Sequence, residues 1–156
     1  MHTLRNVLIA TVVASSVATS AFAAKENFDR SKPHLIVKAY LERLDGIVSA
    51  GEEEIRETVG LLLPAVQKLR AEGRLRRAWL LTLQGVRRVR RRGHVTVLKI
   101  SSTTHTTLVH LRRLDADPEL VAQVEAARDA ALARLRGTQQ WAVDSFFDIW
   151  VEVSRE

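Results

Sequence analysis

The stretch HVTVLKISSTTHTTLVHLRRL, residues 94–114, decides the fold. Val95 and Val97 alternate with polar neighbours and β-branched residues crowd the segment, features that favour strands. Yet no Gly or Pro interrupts it. A hairpin would have to turn at Ser101–Thr104 without the Gly, Asn or Asp that such turns use. It would also find no sheet to join, since no other segment reads as a strand. Helix is the favoured reading and a hairpin the alternative. The first makes the protein all-α.

Outward from this stretch, apolar residues recur at helical spacing. Val37, Leu41, Leu44 and Val48 step by four, three and four, with Ser31 and Pro33 placed to start a helix. A second run carries Ile55, Val59, Leu62, Val66 and Leu69. Its first turn holds Glu52, Glu53 and Glu54, where negative charge suits the helix dipole. Pro64 is expected to kink it, and Gly73 to stop it. A third helix, from Arg74 to Arg92, is expected to bury Leu75, Trp79, Leu83 and Val86 and to stop at Gly93. Beyond 94–114, Asp117 reads as an N-cap and Pro118 as the first helical residue. From there to Val153 a single helix would be about 54 Å long, against about 30 Å for the others, at about 1.5 Å per residue. A break at Gly137 with Thr138 as cap restores the match. These spacings predict an up-and-down bundle of five or six helices.

The chain opens with a polar start, MHTLRN, then an apolar core, VLIATVVA, then AFA at 21–23. That is the three-part pattern of a secretory signal, with cleavage expected after Ala23. Residues 24–156 then form one helical domain, large enough to bury a core. The expected location is outside the cytoplasm, periplasmic or extracellular, with no membrane span left after cleavage. Cysteine is absent, so packing alone must hold the fold. Zinc–thiolate sites, thioether haem and cysteine nucleophiles are excluded as well. The one methionine is the initiator, which removes a Met/His haem site, and no cofactor is expected.

The formal charge is +6, carried unevenly: Lys68 to Arg92 holds ten basic residues and one acid. Arg87, Arg88, Arg90, Arg91 and Arg92 fall on an arc of about 200° of a helix, with Val86 and Val89 opposite. Arg76 and Arg77 lie nearer its start. Guanidinium groups pair with phosphate, sulfate and carboxylate, so this face is the candidate site for an acidic partner: anionic lipid, acidic glycan or protein. A solvated or internally paired face is the simpler account. Asp144, Asp148 and Glu152, recurring every four residues, could supply the pairing. No nucleic-acid partner is expected, because export removes the chain from it and no aromatic in the cluster could stack on bases.

Val143, Phe146, Phe147, Ile149, Trp150 and Val153 make a broad apolar face near the C-terminus. A closing core helix is the simpler account, and a protein interface through Phe146, Phe147 and Trp150 the functional one. His105 and His110 are about 140° apart on a helix and cannot chelate together. Ser101 and His105 lack an oxyanion loop, so no metal or catalytic role is assigned. The sequence therefore reads as a non-catalytic binding module engaging an acidic partner. The alternative is an assembly subunit using its C-terminal aromatic helix.

Overall fold

The computed structural model describes residues 32–151. The leader assigned to residues 1–23, the Ser31 cap, and Glu152 and Val153 lie outside the described residues. Three long helices make up the fold: α1 (Pro33–Ala71), α2 (Leu75–Arg113) and α3 (Pro118–Val151). The connections are only residues 72–74 and 114–117, so successive helices run antiparallel, and each packs on both others. The protein is all-α as expected, but the bundle has three helices and not five or six.

The expected boundaries at residues 51, 93 and 137 are interior positions of the helices, and at two of them, Gly51 and Gly93, helices meet. The first two expected helices adjoin at Gly51, just before the three glutamates read as a helix start. In the structure, Gly51 is the point where α1 comes up against Thr96 of α2, and a Cβ there would overlap that side chain. Gly93 resembled a C-terminal stop, yet it is buried beneath the amide of Gln139. Gly137 and Thr138 resembled a break and a cap, but the Thr138 hydroxyl instead donates to Glu52 of α1 at 3.0 Å. These contacts share one level of the bundle, about midway along it, and form a waist of small and polar residues.

True ends carry true caps. Gly73 has φ of 72°, and the Arg74 and Gly73 amides donate to the Leu69 and Arg70 carbonyls, each at 2.9 Å. This closes α1 with the left-handed turn that glycine adopts without penalty. The end of α2 repeats the pattern with Asp115 at φ 49°, its neighbour Ala116 donating to Leu111 at 3.0 Å. Asp is among the few residues that tolerate this region. The Asp117 carboxylate then accepts from the Glu119 amide at 2.8 Å and opens α3.

Residues 94–114 are helical to Arg113. Its threonines reconcile β-branching with a helix by bonding back one turn. Thr96, Thr104, Thr106 and Thr107 donate to the carbonyls of Arg92, Ile100, Ser102 and Thr103 at 2.8–3.1 Å. Thr96, Thr104 and Thr107 are thereby buried without an orphaned hydroxyl. Tyr40, itself buried, joins its hydroxyl to Thr104 Oγ1 at 2.9 Å, so the polar stripe of α2 is also satisfied from α1.

Pro64 lies inside α1 on an exposed face, where water can reach the Gly60 carbonyl that it leaves without an amide partner. Of the residues expected to be buried near the start of α2, Val86 is buried and Leu83 half-buried. Leu75 and Trp79 instead remain 56% and 41% exposed. They lie near the end of the bundle, past the main core.

Not every interior glycine is in contact. A Cβ at Gly46, Gly60 or Gly137 would meet nothing within 4 Å. Alanine at each should stabilise the fold by about 0.5–1 kcal/mol, the helix-propensity difference. Urea denaturation of the single and triple variants checks this.

Candidate functional site

Helix α2 contains no Asp or Glu from Leu75 to Arg113, but ten lysines and arginines. Its buried seam, including Ala78, Thr82, Val86, Val89, Gly93 and Thr96, turns the cationic side chains outward. Arg87, Arg88, Arg90, Arg91 and Arg92 are all exposed, as the helical projection anticipated, and so are Arg76 and Arg77.

Their pairing differs from the expectation. Among the described residues, Arg92 alone of the α2 cations makes an ion pair, and its partner is Glu54 of α1 at 2.9 Å. Asp144 of α3 instead accepts from Gln140 Nε2 at 2.7 Å. Among the described residues, neither Asp144 nor Asp148 pairs with an arginine of α2. The reason is geometric: the arc holding Arg88 and Arg92 borders α1, whereas α3 packs elsewhere on the seam. Arg88, Arg91, Arg92 and Val95 form one wall of a groove of about 440 Å³. Glu54, Glu57, Leu61 and Leu62 of α1 lie opposite.

The strongest internal ion pair lies at the waist instead. Glu52, 4% exposed, receives Arg134 Nε at 3.0 Å, Arg134 Nη2 at 2.7 Å and Thr138 Oγ1 at 3.0 Å. Arg134 also reaches Asp45 at 2.9 Å. Desolvation pushes the Glu52 carboxyl pKa up and is the largest single influence. The hydrogen bonds from Arg134 and Thr138, with the charges of Arg134 and Arg56, together outweigh it and hold the pKa below the usual glutamate range. Both hydrogen-bond partners brace α3 to α1, so this buried carboxylate is satisfied and not poised for chemistry. Sequence reasoning missed it because Glu52 was read as part of a helix start.

The C-terminal aromatics divide. Phe146 is fully buried, its ring against the Cα of Gly85. Phe147 and Trp150 are half-buried and gather around Trp79, with centroids at 6.2 and 5.3 Å. Trp150 Nε1 donates to buried Thr82 at 3.1 Å, and the Arg70 guanidinium lies 5.1 Å above its ring. Arg70 also donates to the Ile149 carbonyl, which ties the last turn of α3 to α1.

A second cleft of about 400 Å³ lies between α1 and α2, lined by Tyr40, Arg43, Ser102, Thr106 and His110 among others. Ser101 and His105 are both exposed and outside it. Among the described residues no group of three or more His, Asp or Glu could hold a metal ion. No helix among them is long and apolar enough to cross a membrane. No family model, curated protein or solved structure matches this chain.

Proposed function

We propose that the protein is an exported, non-catalytic binding module that engages an acidic partner through the outer face of α2. One observation carries the reading: a helix with ten cations and no acid, of which Arg92 alone is ion-paired among the described residues. Exposed cations on one helix repel each other, and an acidic surface relieves that cost. Arg87, Arg88, Arg90 and Arg91 are the primary contacts. Arg76 and Arg77 support them one end of the helix away. Export rests on the secretory pattern of the first 24 residues. An assembly role through the C-terminal aromatics has less support, because Phe146 is buried and Trp150 directs its N–H to Thr82.

The test leaves the Arg92–Glu54 pair intact. Arg87→Glu, Arg88→Glu and Arg91→Glu together should lower affinity for heparin by about tenfold or more, and the parent's affinity should fall steeply with salt. Affinity unchanged by both reversal and salt would remove the proposal.

A further inference from the structure

The arginine face is not purely polar. Leu80 and Leu98 are 58% and 56% exposed, and Val95 is 40% exposed. Taking Leu80 as the origin, Arg87, Arg91, Val95 and Leu98 all fall within an arc of about 80°, at about 100° per residue. Apolar and cationic side chains therefore share the outermost stripe of α2. Across the groove, Leu61 of α1 is 74% exposed, the most exposed large apolar side chain among the described residues. Of the two carboxylates bordering that groove, Glu54 is neutralised by Arg92.

From this juxtaposition we infer that the acidic partner is an anionic lipid surface, with α2 lying flat along it. The inference rests on the acidic-partner reading above and narrows it. A soluble acidic glycan satisfies the guanidinium groups but offers nothing to Leu80, Leu98 and Leu61. A bilayer of anionic lipid satisfies both: phosphates lie in the headgroup plane, and apolar depth lies just beneath it. Arginine stems carry their charged ends to that plane while leucine tips enter below it. Leu80 and Leu98 are about 27 Å apart along the helix axis, so both can enter only if the helix lies parallel to the surface. The binding is peripheral, since no described helix can span a membrane.

The discriminating variant is Leu61→Ser, Leu80→Ser, Leu98→Ser in the exported chain, residues 24–156, at positions whose exposure spares the core. Circular dichroism verifies that the helices persist. Binding is measured by co-sedimentation with phosphatidylcholine vesicles, with and without phosphatidylglycerol, and in parallel on heparin. The parent should bind only the anionic vesicles, and the triple variant should lose about tenfold or more of that binding, since each leucine brings apolar area to be buried. Its heparin retention should be unchanged. Heparin binding without vesicle binding overturns the lipid inference and leaves the acidic-partner reading standing, as does vesicle binding that ignores the leucines. Equal binding to both vesicle types overturns the lipid inference, and binding to neither vesicles nor heparin overturns the two together.

Discussion

Phe146→Ala should destabilise the protein by about 3–5 kcal/mol, the range for deleting a fully buried aromatic ring. The ring is 0% exposed and sits where α3 crosses the Cα of Gly85 on α2. Gly85→Ala alone should also destabilise, because the new methyl would overlap a ring held on every side. Overpacking of this kind costs about 1–3 kcal/mol, partly offset by the roughly 1 kcal/mol that alanine gains over glycine in a helix. In the double variant the sign of the second change reverses. With the ring gone, the methyl of residue 85 enters vacated space and keeps its helix-propensity gain. Gly85→Ala should therefore stabilise Phe146→Ala. A urea denaturation cycle over the four proteins measures that coupling, and additivity would mean that ring and glycine do not meet. The same cycle separates a core role for Phe146 from a role in binding another protein.

The second large effect is expected at the waist. Arg134→Ala should cost about 2–3 kcal/mol, less than a fully buried pair because the guanidinium is 48% exposed. Most of the loss comes from the 5%-exposed Glu52 side chain, left with Thr138 and a more distant Arg56 at 3.7 Å. The pH dependence carries the sign. In the parent the Glu52 pKa is lowered on folding, so its contribution is full above the ordinary glutamate range. That contribution is lost as the pH falls toward the lowered value. In Arg134→Ala desolvation is expected to dominate and raise the pKa, so the penalty is relieved as the pH falls from that raised value to the ordinary glutamate range. Denaturation midpoints of the two proteins should converge at acid pH. A constant gap would show that Arg134 acts by packing alone.

The all-α class, the Schellman turn at Gly73, the Asp117 cap and the outward arginines were legible in the sequence, because each depends on local pattern. Helix number was not. Gly137 is an exposed glycine inside α3 that meets nothing, whereas Gly51 and Gly93 look like helix ends when read along the chain because a glycine chosen for close approach and one chosen for a turn are the same residue. Only the facing side chains, Thr96 and Gln139, distinguish them. The absence of acids from Leu75 to Arg113 was equally readable. Dividing that segment into two helices hid it. The partner of Arg92 was misassigned for a related reason: helical projection gives an angle on one helix, but which neighbour occupies that angle is a tertiary fact.

Gly51 and Glu52 have one more consequence. A three-helix bundle of given helices can close with its third member on either side of the first two, and the two handed forms can bury similar apolar area. Adjacent residues on a helix point about 100° apart, so Gly51 and Glu52 address different neighbours. The glycine admits Thr96 of α2, and the carboxylate requires Arg134 of α3. In the opposite hand the carboxylate would lose Arg134 and Thr138, and Thr96 would lose the glycine that admits it. Two consecutive residues thus favour one hand of the bundle over the other.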